Sequence, residues 1–312
     1  MAENSKIQWT HHTFNPWRGC TKVSDGCKHC YADTLSKRNP SMLGVWGTNG
    51  TRVVAASAAW REPIKWDKVA REAGERHRVF CASLADVFEG PETMPADSLP
   101  IVEAARRRMF KLIGATPNLD WLLLTKRPQN ILRLTRKAID TFDDPEFDFN
   151  AAAEPNGLDA ASFRELYPNI WLGTSVENEE TANERIPLLR KVPATVRFLS
   201  IEPQLSAIDL TGLLDGIHWV ICGGESGAKA RSFDISWARS LRDQCAAAGV
   251  AFFMKQFGEK PTGEWKYSPL PMLSSDSIYS SNSHWILNDK KGGDMEEWPA
   301  DLRVRDFPKV AS

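Results

Sequence analysis

Three of the chain's six cysteines, Cys20, Cys27 and Cys30, fall within eleven consecutive positions. They stand in the run Asn15-Pro16-Trp17-Arg18-Gly19-Cys20 and in Cys27-Lys28-His29-Cys30-Tyr31-Ala32, with six residues between the first two sulfurs. Gly19, Asp25 and Gly26 give the backbone freedom to wrap all three sulfurs around one point, so the stretch reads as a metal-binding loop. Three thiolates with no fourth cysteine nearby suit a four-iron four-sulfur (4Fe-4S) cluster with one iron open to a substrate or cofactor. A structural zinc ion would need a fourth ligand, which His11, His12 or His29 could supply. A disulfide leaves one of the three cysteines over, and nothing at the start of the chain directs export to an oxidising compartment.

The elements that must position this loop are visible as short apolar runs. They are Val79 to Ser83, Trp121 to Thr125, Ile170 to Ser175, Val196 to Ile201, Ile217 to Cys222 and Val250 to Lys255, each of strand length and rich in Val, Ile, Leu, Phe or Trp. A first strand near Ile7 to Thr10, or just before Cys20, brings the number to about seven. Between the runs lie helical patterns. Residues 97 to 113 place Leu99, Val102, Ala105 and Met109 at steps of three and four, and Asp234 to Ala248 does the same with Ile235, Ala238, Leu241 and Cys245. Asp97 and Asp234 are suited to cap them. Repeated alternation of strand and helix implies an α/β fold with a parallel sheet, here a partial or modified (β/α) TIM-type barrel of about six to eight strands.

In such a barrel the residues after each run gather at one mouth. They include Asp86, Lys126 and Arg127, Ser175 to Asn178, Glu202, and the stretch Cys222-Gly223-Gly224-Glu225. The expected organisation is a barrel domain over residues 1–257, with an exposed insertion near 141–165, and an irregular C-terminal extension over 258–312. Trp285, Trp298 and Phe307 would pack that extension back on the barrel. Cys81, Cys222 and Cys245 lie within apolar patterns, and core packing accounts for them.

Composition narrows the function classes. With 42% hydrophobic and 25% charged residues and a net charge of −1, the chain has an ordinary globular composition and no global attraction for nucleic acid. Arg106, Arg107 and Arg108, and the later Arg133, Arg136 and Lys137, read as a solvated helix face or a phosphate-contacting strip. No apolar run is long enough to cross a membrane and no basic region precedes an apolar core, so the expected location is cytoplasmic.

The loop, with His29 just before the last cysteine, resembles the cluster loop of the radical S-adenosylmethionine (SAM) superfamily, and within it the spore photoproduct lyase branch. That superfamily usually has three residues between its first two cysteines, where this chain has six. The six-residue spacing, the Gly-Gly-Glu and the tail Trp298-Pro-Ala-Asp-Leu-Arg-Val-Arg305 resemble a phage- and prophage-associated three-cysteine-motif family. The resemblance implies that Cys20, Cys27 and Cys30 hold a 4Fe-4S cluster, that His29 packs on the adenine of SAM, and that a barrel carries the site. It implies an enzyme that takes one electron from an external donor and generates a 5'-deoxyadenosyl radical, with a nucleotide or modified DNA base as possible substrate. On that reading Lys126 or Arg127 would pair with the SAM carboxylate, while Ser175, Glu177 and Asn178 would serve the ribose. Gly223, Gly224 and Glu225 offer an unhindered backbone and a carboxylate for the ammonium or a ribose hydroxyl. Cys222, beside the glycines, would be a hydrogen-atom donor, and Trp17 would shield the site. A zinc-stabilised binding or accessory protein, and an iron-sulfur electron carrier or sensor, are the rival readings.

Overall fold

The computed structural model describes residues 5–139, 160–264 and 285–309. Most of the insertion expected near 141–165, and the serine-rich part of the C-terminal extension, lie outside the described residues. Seven strands form the main sheet: β1 (His12–Thr13), β2 (His77–Cys81), β3 (Leu119–Thr125), β4 (Ile170–Ser175), β5 (Val196–Ile201), β6 (Trp219–Gly223) and β7 (Ala251–Gln256). Their order in the sheet is their order in the chain. β1–β2, β2–β3 and β3–β4 pair in parallel, as do β5–β6 and β6–β7. With helices between the strands, this is a partial (β/α) barrel. β3 is buried at nearly every position rather than alternately, as a parallel strand covered on both faces must be.

Two compact units divide the chain. One comprises Met1–Thr174 and Pro187–Arg197, and the other Ser175–Ile186 and Phe198–Ser312. In the first, helices α1 (Tyr31–Arg38), α2 (Pro40–Leu43) and α3 (Glu62–Ala73) follow the cysteine loop, and α4 (Leu99–Gly114) and α5 (Ile131–Ile139) flank β3 in sequence. Helix α4 starts after a 3-10 turn at Ala96–Ser98, with Ser98 rather than Asp97 at its N-cap and a proline in its first turn. Its buried stripe is Val102, Ala105, Met109, Leu112 and Ile113, each larger aliphatic contributing about 1.5–3 kcal/mol by burial. The stripe also includes Arg106, only 2% exposed, so the arginine run is not a uniform solvated face. The first strand is not at Ile7 to Thr10. Trp17–Arg18, just before Cys20, pairs antiparallel with Val53–Val54 in a sheet of its own.

The second unit carries the helix over Ile235–Ala248, capped by Asp234, whose Oδ1 accepts from the Ser236 amide at 2.8 Å. Gly249 closes it in the left-handed region at φ 67°. The described tail lies along β7: the Met254 amide donates to Val304 O (2.8 Å) and the Asp306 amide to Phe252 O (2.9 Å). Trp298 stacks on Phe257 with ring centroids 4.9 Å apart.

At the start of β1 and β2 the first unit holds a histidine cluster. His12 Nε2 and His77 Nδ1 are 3.2 Å apart, the His12 ring stacks on Trp66 at 4.3 Å, and His11 Nδ1 accepts from the Arg78 amide at 2.7 Å. Burial lowers the pKa of both His11 and His12 from 6.5 to about 4; Arg78 and His77 add to the shift at His11, and His77 and His11 to that at His12, with Glu75 opposing at His11. Protons therefore bind the unfolded chain first. Stability is complete above pH 6.5 and is lost as pH falls towards 4. The urea midpoint is expected to fall over that interval, and His12→Gln to shrink the fall; a midpoint flat from pH 7 to 4.5 would contradict the arrangement.

Candidate functional site

Gly19 sets the entry to the cysteine loop. Its φ is +107°, and a Cβ there would lie 2.6 Å from Thr51 O, so only glycine fits. Its amide donates to Leu84 O at 3.0 Å, and Cys20 O accepts from the Gly47 amide at 3.0 Å. These bonds tie the loop to the segment after β2 and to the turn before Val53. Cys27 closes a 3-10 turn over Asp25–Cys27, and Cys30 is the N-cap of α1. All three thiols are free of disulfides and half-buried.

Behind Cys20 lies a buried network of charges. Arg52 Nε and Nη2 donate to the two Glu89 oxygens at 2.9 and 2.8 Å, and neither side chain has exposed surface. Glu89 Oε1 also accepts from the Thr21 amide at 3.0 Å. Arg127 Nη1 donates to Asp86 Oδ2 at 2.9 Å and lies 3.9 Å from Cys20 Sγ, while its Nη2 donates to Thr21 O at 2.8 Å. The other Asp86 oxygen accepts from Thr125 Oγ1 (2.7 Å) and the Phe88 amide (3.0 Å). Burial works against the Arg127 charge, yet Asp86, Cys20 and Glu89 outweigh it and raise its pKa. Burial also pushes the Cys20 thiol up, with Glu89 and Asp86 adding and Arg127 opposing. For Cys30, burial again raises the pKa, and the Asp33 and Ala32 amides in the first turn of α1 oppose it.

Arg106 sits beneath the same network, its Nε donating to Val87 O at 3.0 Å and its Nη2 to Glu89 O at 2.8 Å. Burial lowers its pKa to about 10, so it stays charged at neutral pH. Its guanidinium lies 5.4 Å from the Trp17 ring, which has no exposed surface. Trp17 therefore packs inside the unit.

The first unit thus holds Cys20, Cys27, His29, Cys30, Lys126 and Arg127. Arg127 is brought to Cys20, while His29 and Lys126 are half-buried. Arg52, Glu89 and Thr21 carry no sequence signal, because the pairing spans 37 residues and neither partner belongs to a motif.

The remaining expected residues belong to the second unit. Ser175 is buried and its carbonyl accepts from Arg185 Nη1 at 2.9 Å; Glu177 Oε2 accepts from the same nitrogen at 3.0 Å. Asn178 Oδ1 accepts from the Thr181 amide at 3.0 Å, a local cap at the start of the helix Glu179–Arg190. Cys222 has no exposed surface, its Sγ lies 3.3 Å from Gln204 Oε1, and burial raises its pKa far above the ordinary thiol value. A Cβ on Gly223 would lie 2.7 Å from Glu202 Oε1, and one on Gly224 2.1 Å from Phe257 O, so both glycines serve close packing. Glu225 takes the Arg231 fork through Nη2 at 2.7 Å and Nε at 2.9 Å.

Among the described residues, no group of three or more His, Cys, Asp or Glu side chains is drawn together to hold a single metal ion. The donor set of the loop nevertheless fits an iron-sulfur cluster: three free thiols on one short segment, two of them close enough for Cys27 to act electrostatically on Cys30, with a fixed guanidinium against the third. His11 and His12 are spent in the cluster with His77 and Trp66, which leaves His29 as the histidine within the loop.

Two solved structures of spore photoproduct lyase, a Tyr-to-Phe and a Cys-to-Ser variant, are similar to the chain at 12% identity, with TM-scores of 0.44 and 0.45. Each alignment covers 78% of this chain and 63% of the other, so the chain spans less than two thirds of their length. No curated protein sequence matches. A family model described as "Protein of unknown function (DUF5131)" matches residues 4–293, and the chain belongs to that family.

Proposed function

We propose that the chain is an iron-sulfur enzyme of the radical SAM type, with Cys20, Cys27 and Cys30 holding a 4Fe-4S cluster. The observation that carries this is the loop itself: three half-buried thiols free of disulfides, one facing the buried Arg127 guanidinium and one on the N-cap residue of α1. When bound, the cluster would supply the electron that cleaves SAM.

The chain's own residues do the positioning. Gly19 aims the loop, Arg127 steadies Cys20 while held by Asp86, and the Arg52–Glu89 pair anchors Thr21 next in sequence. Pairing with the SAM carboxylate falls to Lys126, because the Arg127 donors are spent on Asp86 and Thr21. The polar groups expected to serve the rest of the cofactor are engaged within their own unit: Glu177 with Arg185, Asn178 with Thr181 and Glu225 with Arg231, while Ser175 is buried and Gly223 and Gly224 serve close packing. The resemblance of the loop supports a nucleotide or nucleobase substrate and an external electron donor.

Anaerobic purification with iron and sulfide analysis, then reduction with SAM and assay for 5'-deoxyadenosine, tests the reading. About four irons per chain are expected, with 5'-deoxyadenosine lost in Cys20→Ala, Cys27→Ala or Cys30→Ala. One zinc per chain without cleavage would overturn it.

A further inference from the structure

We propose that His12 and His77, at the start of β1 and β2, form a binding site for one divalent transition-metal ion that favours imidazole, Zn2+ foremost. The pair lies wholly in the first unit and uses none of the cysteines, so it stands or falls separately from the cluster reading.

The two donor atoms are already placed. His12 Nε2 and His77 Nδ1 face each other at 3.2 Å, with ring centroids 5.3 Å apart. Two imidazole nitrogens at roughly 2.0–2.1 Å from one tetrahedral zinc stand about 3.3 Å apart, and their ring centroids about 5.2 Å. An ion therefore enters between these rings with little movement of either. Each ring is also held from elsewhere. His77 Nε2 faces the Glu75 carboxylate at 3.7 Å, and a carboxylate behind an imidazole keeps the proton on the outer nitrogen and leaves Nδ1 as the ligand. His12 lies stacked on the buried Trp66, with centroids 4.3 Å apart and planes 4° from parallel.

The surroundings limit the site to this pair. His11 Nδ1 accepts from the Arg78 amide at 2.7 Å, which puts its proton on Nε2, so His11 is a neighbour rather than a ligand. The two guanidiniums flanking His77 in sequence are engaged elsewhere: Arg78 Nε donates to Trp9 O at 3.1 Å, and Arg76 donates to Asp120 Oδ1 through Nε at 2.9 Å and Nη2 at 2.7 Å. Among the described residues no third His, Cys, Asp or Glu side chain joins the pair, so water completes the shell from the side where His77 is half-buried and Glu75 exposed. His12 and His77 are 65 positions apart, and Cys20, Cys27, Cys30 and α1 to α3 all lie between them. The ion thus closes, at its base, the segment that carries the cysteine loop, and a clip on a long loop restricts the unfolded chain most.

The test dialyses the untagged chain against Zn2+ with metal analysis, both iron-loaded and as Cys20→Ala/Cys27→Ala/Cys30→Ala. In both forms one zinc per chain is expected. Its affinity should fall about tenfold or more in His12→Gln and in His77→Gln, and also in Glu75→Gln, while His11→Gln keeps it. At a zinc concentration one hundred times its dissociation constant, the unfolding equilibrium constant should fall about a hundredfold, and that fall should vanish in His77→Gln. Zinc bound equally well by His12→Gln and His77→Gln, or by neither form of the unaltered pair, would overturn the inference and leave the two rings sharing only a proton. Zinc bound by the iron-free chain but lost in the triple cysteine variant would overturn it too, by placing the ion on the thiols.

Discussion

Arg52→Met is expected to lower the stability of the first unit by about 3–5 kcal/mol, the cost of leaving a buried carboxylate without its counter-charge. Glu89 has no exposed surface, both its oxygens are bound by Arg52, and the other nearby cation, Arg127, is 3.7 Å away and already committed to Asp86. Glu89→Leu should be similarly damaging, since Arg52 would keep a buried charge. The double variant Arg52→Met/Glu89→Leu is expected to lose much less than the sum, because removing both charges removes the desolvation cost along with the attraction. Urea midpoints of the four proteins give the cycle directly. A single-variant loss below about 1 kcal/mol would mean that the pair behaves as a surface ion pair, contrary to its burial. Because the Glu89 carboxylate also holds the Thr21 amide, the damage should reach Cys20 and appear as early proteolysis in the loop.

The central strands are legible because their chemistry is local. Ile170–Ser175 and Val196–Ile201 coincide with their apolar runs, and the other four lie within two residues of theirs. The helix begun by Asp234 is legible for the same reason: cap, stripe and closing glycine are neighbours in sequence. β1 is not legible, since two residues are too few to show a period. Arg106 is instructive in a different way. A run of three arginines suggests solvent, but residue 106 is four after Val102 and three before Met109, on the stripe that the helix buries. Periodicity outweighed residue type there, and the guanidinium is accommodated by two backbone carbonyls. The cysteine loop is visible as spacing, whereas the Arg52–Glu89 and Arg127–Asp86 pairs behind it are long-range and appear only once the chain is folded.

On the proposed function, Arg127 is the structural cation of its pair and Lys126 the one that would bind the SAM carboxylate. Arg127→Met is expected to cost about 3–5 kcal/mol, because Asp86 is only 6% exposed and would keep its charge without the guanidinium. Arg127→Lys should cost less, since an ammonium can satisfy Asp86 but cannot also span to Thr21 O and the Cys20 sulfur as the planar fork does. The Lys variant is therefore the informative one. It should fold, yet, if the proposed cluster is present, hold iron less firmly than the unaltered chain when challenged with a chelator, because Cys20 has lost its fixed donor. Lys126→Met, on a half-buried side chain, should cost less in the urea midpoint than Arg127→Met and, on the proposed function, raise the SAM concentration needed for half-maximal 5'-deoxyadenosine formation. If Arg127→Met unfolds no more easily than Lys126→Met and it alone raises that concentration, the roles are reversed: Arg127 is the carboxylate-binding group, and the Asp86 contact contributes little to the fold.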